Sequence, residues 1–208
     1  MNTSYDRIAG QSVERLAALS DGLFGVAMTL LLLELHVPAK ELIHSESDLF
    51  RKLVELCPQL LVYFMSFITL GIFWVGQQTQ LNNLIRSDRH LTWIHLAFLF
   101  AVTLLPFSTR LLAEFISYRP ALLTYWGNIL LLGLMLYASW GRANRAGLVD
   151  EKLTHEVKAA ICHRILIGQA LYAFGALLCI FSTYLSIGLI ILVQLNYAFA
   201  PKLWREKR

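Results

Sequence analysis

The chain has 208 residues, of which 57% are hydrophobic and only 15% are charged, and its formal net charge is +4. Soluble domains are usually about 45–50% apolar and about 25% charged, so the composition excludes an ordinary soluble protein. It indicates an integral membrane protein, and we expect a single domain over residues 1–208. The positive charge does not predict a nucleic-acid partner, because the basic residues lie in short loops and at the C-terminus and no RNA-binding motif is present.

Apolar segments of about 20 residues, the length that crosses a bilayer as a helix, follow one another along the chain. There are six: Leu16–Leu35, Val54–Val75, Leu91–Leu112, Leu122–Trp140, Ile161–Phe181 and Tyr184–Ala200. They are apolar nearly all round and lack the alternation of β-barrel strands. The predicted fold is therefore all-α, with six transmembrane helices in the bilayer. Most Lys and Arg residues fall on one side, which predicts that both termini are cytoplasmic.

The first segment carries polar residues that a helix facing only lipid does not need. On a helix, residues three and four apart share a face, so Gly22, Val26, Thr29 or Leu30, and Leu33 form one stripe, with Leu23 and Leu30 beside it. Two interpretations follow from this spacing. The stripe packs against neighbouring helices, where glycines allow close approach, or copies of it surround a narrow conduction path.

Arg15, Ser20 and Asp21 stand at the entrance of this segment. A charge at membrane depth usually has a partner or lines a wet path. Arg15 is poorly aligned with Asp21 for an intrahelical pair, so we expect Asp21 to bond to another span, through Trp74 or a hydroxyl. Such a network serves either to fix helix packing or to clamp a pore helix, and the sequence leaves both open.

Other candidate sites give weaker signals. Glu34, at the outer end of the first segment, either enriches cations near a pore mouth or is a solvated helix-end charge. The six histidines and three cysteines show no metal-ligand spacing, and we interpret the histidines as scattered loop and interface residues. No phosphate loop or nucleophile motif is present. We therefore expect neither an enzyme nor a cofactor.

The run from Arg15 to Leu19-Ser20-Asp21-Gly22 resembles the Arg-x-x-x-Phe-Ser-Asp-Gly signature of the transmembrane-protein-175 potassium channels. Three later stretches are similar to the second and third spans of the bacterial members of that family: Trp74-Val-Gly-Gln-Gln78, Arg86-Ser-Asp-Arg89 and Leu104-Leu-Pro-Phe-Ser-Thr109. Leu19 replaces the usual phenylalanine. Gln77 and Gln78 stand where many members carry a histidine pair, so a pH-dependent network at those positions is not carried over.

The resemblance implies a six-span subunit without a conventional pore loop, assembled as a homotetramer in a bacterial plasma membrane. The first helix would line the central pore. Aligned on Ser20 and Asp21, the apolar constriction of the family falls on Val26 and its pore threonine on Thr29, and Leu33 continues the wall one turn further.

The leading hypothesis is a channel that conducts monovalent cations and prefers potassium. The first alternative is a secondary transporter, proton-linked through Asp21, although no inverted repeat or broken helix is evident. The second is a membrane scaffold subunit that does not conduct.

Overall fold

The computed structural model describes residues 12–33, 35, 37–40 and 43–199. Within them the chain forms helices joined by short connections, with no strand and one isolated bridge between Leu84 and Val149. The helices are α1 (Val13–Leu33), α2 (Glu46–Glu55), α3 (Cys57–Leu81), α4 (Arg89–Glu114), α5 (Arg119–Arg145), α6 (His155–Leu177) and α7 (Thr183–Phe199), and the 3₁₀ turn Leu178–Ile180 follows α6. The predicted all-α membrane fold is confirmed.

Five of the described helices are long and apolar enough to cross a membrane, namely α1, α3, α4, α5, and α6 with its 3₁₀ turn. The helix in the place of the sixth predicted span, α7, has only 17 residues. A straight crossing needs about 20 residues, so α7 is the short member of the set. Ala200, the predicted end of that span, lies outside the described residues.

The sequence did not predict α2, a short amphipathic helix ahead of the second span. The Ser45 hydroxyl caps α2 by accepting a hydrogen bond from the Asp48 amide at 3.1 Å, which satisfies one of the open donors at a helix N-terminus. Only Leu56 separates α2 from α3. The span predicted to begin at Val54 therefore begins at Cys57, because Val54 belongs to α2.

Hydroxyl and amide side chains tie the long helices together inside the apolar core. Thr109 on α4 donates to Ser66 on α3 at 2.8 Å, and Gln194 on α7 donates to Thr69 on α3 at 2.6 Å. Both α3 side chains contact the hydroxyl of Tyr125 on α5, at 3.3 and 2.9 Å. Apolar burial gives little drive for association within lipid, so such interhelical bonds and close packing hold the helices in register.

An ion pair between Asp88 and Arg142 closes the bundle at the end where the connections α3–α4 and α5–α6 lie. Asp88 caps α4 by accepting from the Leu91 amide at 2.7 Å, and it also accepts hydrogen bonds from the Arg142 guanidinium on α5. Burial alone would raise the pKa of Asp88, but the hydrogen bonds from Arg142 and Leu91 and the positive charge of Arg142 outweigh it and lower that pKa. The pair fixes the start of α4 against the end of α5.

Candidate pore helix

Helix α1 packs into the bundle along one face and leaves the opposite face open. Its buried residues recur every three or four positions: Leu16, Ser20, Phe24, Ala27 and Leu31. That spacing defines one helix face, and this face rests on α3 and α4. The ring of Phe24 lies 6.0 Å from that of Phe98 on α4, a normal aromatic contact.

Ser20 is fully buried at the centre of a hydrogen-bond network between α1, α3 and α4. Its hydroxyl oxygen accepts from the Gln77 amide at 2.9 Å and lies 2.7 Å from Nε2 of His95. The hydroxyl also lies 2.7 Å from the carbonyl oxygen of Leu16 on its own helix. One side chain therefore joins three helices.

Asp21 makes the second half of this anchor, toward α3 alone. One carboxylate oxygen accepts from the indole nitrogen of Trp74 at 2.8 Å and from the amide of Gln78 at 2.7 Å. Trp74 and Gln78 are four residues apart and share a face of α3. The hydrogen bond between Asp21 and Trp74 that the sequence predicts is present in the structure.

Arg15 does not join this network within the described part of the chain. Its side chain is exposed, and its backbone amide bonds to the Ser12 hydroxyl at 3.2 Å. Glu34, the predicted cation-attracting residue, lies outside the described residues. The structure therefore brings together Ser20, Asp21 and Trp74 from the predicted network and leaves Arg15 apart.

The face of α1 opposite the anchor carries the residues predicted to line a pore. Val26 is 54% exposed and Leu33 is 74% exposed. Thr29, which lies between them, and Gly22, one turn before Val26, are also exposed. The Thr29 hydroxyl donates to the carbonyl oxygen of Val26 at 2.8 Å. The carbonyl oxygen of Gly25 also lies within hydrogen-bond distance of this hydroxyl, at 3.1 Å. Its proton is thus directed back to the helix, and the oxygen lone pairs remain available to a ligand on the open side.

Leu23 and Leu30 border this open face on the side nearer the core. Leu23 is half-buried and packs against the main apolar core, whereas Leu30 is 42% exposed. In the single chain, Leu23 therefore contributes more to packing than to the open stripe of Val26, Thr29 and Leu33.

Sequence reasoning missed His95, Gln77 and Gln78 as parts of the anchor. The interpretation of the histidines as loop and interface residues is wrong for His95, which is 3% exposed and contacts Ser20. A polar residue within an apolar segment is the one signal that could have marked it. In the sequence the two glutamines are visible only as departures from a family pattern, yet each donates to the first helix.

Comparison with known proteins identifies relatives over most of the chain. The sequence profile described as endosomal/lysosomal potassium channel TMEM175 matches residues 15–106. A potassium channel of Chamaesiphon minutus is 31% identical over 189 residues, covering 88% of this chain and 92% of the relative. A potassium channel of Streptomyces collinus is 29% identical, with coverage of 89% and 91%.

One solved structure is similar throughout. The crystal structure of a lysosomal potassium-selective channel TMEM175 homolog from Chamaesiphon minutus superposes with a TM-score of 0.78 at 27% sequence identity. The match covers 90% of this chain and 97% of that one.

Proposed function

Because the chain belongs to the family of the endosomal/lysosomal potassium channel TMEM175, we propose that it is a potassium-preferring cation channel whose conduction path is lined by α1. The observation that carries the proposal is the asymmetry of α1. One face is anchored by a buried network, and the opposite face presents Val26, Thr29 and Leu33 without a partner in the described chain.

One subunit supplies only one such face, so a closed path needs several copies. A ring of copies around a symmetry axis brings the same residue of each chain to the same height. We propose a homotetramer, the assembly that resemblance to the bacterial members of the family implies. It would lie in the plasma membrane of a bacterium with both termini cytoplasmic, as the distribution of Lys and Arg indicates.

In such a ring the apolar side chains would act as the gate. Rings of Val26 and Leu33 side chains would form a constriction that excludes water when narrow, and apolar constrictions gate by dewetting. Small outward shifts of α1 would admit water and ions. Because Ser20 and Asp21 hold α1 to α3 and α4, movement of those helices would move the gate with them.

Thr29 lies between the two apolar positions and would supply oxygen ligands. Its proton is directed to the carbonyl oxygen of Val26, which leaves the hydroxyl oxygen able to replace part of the water shell of a cation. No other residue of the stripe formed by Gly22, Val26, Thr29 and Leu33 has a polar side chain. We infer that Thr29 contributes to the preference for potassium.

Single-channel recordings in planar bilayers test this proposal. Val26→Asn and Leu33→Asn would each wet the constriction, so we expect a higher conductance and a higher open probability than in the wild type. Leu192→Asn is the matched control, since Leu192 is a similarly exposed leucine on α7. Equal currents in the wild type and both α1 variants, with the control behaving identically, would remove α1 from the conduction path.

A further inference from the structure

A cavity of about 280 Å³ lies away from the open face of α1, among α3, α5, α6 and α7. Ligand pockets for whole small molecules usually have about 300–1,000 Å³, so this volume suits part of a molecule, such as the upper part of one lipid chain. Most of the wall is apolar and is formed by residues such as Ile72, Phe73, Leu136, Ile161 and Ile165.

A positive charge stands at the open side of this cavity. The guanidinium of Arg164, an exposed residue of α6, lies over the ring of Tyr197 on α7, 5.5 Å from the ring centroid. The Tyr197 hydroxyl donates to the carbonyl oxygen of Arg164 at 3.3 Å. Gly168 lets the tyrosine approach α6, because a Cβ there would lie only 3.3 Å from the hydroxyl. The cation is held by the ring, and the described residues offer its guanidinium no carboxylate partner.

The polar side chains next to this cavity keep their buried atoms away from its open space. Tyr172 is only 3% exposed, and its hydroxyl has the side chain of Gln194, which does not line the cavity, as its neighbour. Oε1 of Gln169 is also buried. Arg164 is therefore the only charged group among the described residues that line an otherwise apolar wall.

The depth of Arg164 matches that of a lipid headgroup. Arg164 lies near the end of the apolar part of α6, where lipid headgroups are expected, and basic pockets between membrane helices bind anionic headgroups.

We propose that this cavity binds one anionic glycerophospholipid. The phosphate pairs with Arg164, and one acyl chain lies along the apolar wall. The occupancy of this site is independent of whether the channel conducts, because none of these residues belongs to α1.

Native mass spectrometry of the purified full-length assembly tests the charge pairing. The probes are dioleoylphosphatidylglycerol, which is anionic, and dioleoylphosphatidylcholine, which has the same chains and no net charge. We expect the wild type to retain the anionic lipid preferentially, and Arg164→Gln to reduce its affinity about tenfold, as loss of one charge-assisted hydrogen bond predicts. Arg145→Gln is the matched control, since Arg145 is exposed near the same end of the bundle and does not line the cavity.

All variants must keep the wild-type assembly mass and melting temperature, and Arg164→Lys, which preserves the charge, should recover part of the affinity. Equal retention of the two headgroups by the wild type, or equal losses in Arg164→Gln and Arg145→Gln, would overturn the proposal.

Discussion

Replacing Ser20 with alanine should weaken the packing of α1 against the bundle more than the loss of one small group suggests. The substitution deletes one hydroxyl group, but that group contacts Gln77 at 2.9 Å and His95 at 2.7 Å. Oε1 of Gln77 is already buried without a partner among the described residues. In Ser20→Ala the whole Gln77 amide would therefore be left without a hydrogen bond there, and the imidazole of His95 would keep only the backbone of Leu16 as its polar neighbour on α1.

The cost can be estimated from these two contacts. Interhelical hydrogen bonds in membrane proteins contribute about 0.6 kcal/mol each on average and up to about 1.7 kcal/mol, so the loss of two predicts a destabilisation of about 1–3 kcal/mol. Ser108→Ala is the matched control, because Ser108 is equally buried on α4 but donates only to the carbonyl oxygen of Leu105, in its own helix. That variant should cost at most about 0.5 kcal/mol.

Equilibrium unfolding in mixtures of SDS and a mild detergent measures both values. The double variant Ser20→Ala/Gln77→Leu removes both members of one bond, so its cost should be smaller than the sum of the single costs. If Ser20→Ala unfolds at the same SDS fraction as Ser108→Ala, the network does not anchor α1 and the reasoning is refuted.

Three further outcomes are expected. Thr29→Val should lower the preference for potassium over sodium about fivefold, the equivalent of one lost oxygen contact, and Thr29→Ser should retain it; bi-ionic reversal potentials measure both, and an unchanged ratio would exclude Thr29 from selectivity. Because the folded-state pKa of Asp88 lies below the ordinary value of 3.8, its ionised form stabilises the fold fully above that pH, and this contribution is lost as the pH falls through the lower folded-state value. Asp88→Asn should therefore flatten the dependence of the melting temperature on pH in the acid range, and an unaltered acid profile would contradict this assignment. Trp74→Phe removes a donor to the carboxylate of α1 and should lower the melting temperature more than Trp126→Phe, whose buried indole nitrogen has no hydrogen-bond partner in the described chain; equal shifts would argue against the anchor.

Hydropathy was sufficient to locate the long helices but not their ends. The second span was predicted to stop at Val75, yet α3 continues to Leu81. Gln77 and Gln80 are buried in this extension because they donate to Ser20 and to the carbonyl oxygen of Leu136. A hydropathy pattern ends at polar residues, whereas a helix bundle buries them wherever another helix supplies a partner.

The network around α1 was partly predictable for the same reason. A carboxylate within an apolar segment needs a partner, and this requirement led to Asp21 and Trp74. The partner of His95 was not predictable, because a histidine on a long helix carries no sign of which residue it faces until α1 and α4 are packed together. The spacing of residues predicted which of them share the open face of α1. It could not predict that this face makes no contacts with the rest of the described chain.

The most direct test of the conduction path is chemical modification at Val26. In a background where Cys57, Cys162 and Cys179, the free cysteines of the described chain, are replaced by serine or alanine, a single Val26→Cys substitution places a thiol in the proposed constriction. A positively charged thiosulfonate reagent should then block the potassium current recorded in bilayers, while the cysteine-free background and a Leu192→Cys control keep theirs. Complete labelling at position 26, verified by mass, with an undiminished potassium current would contradict the central claim.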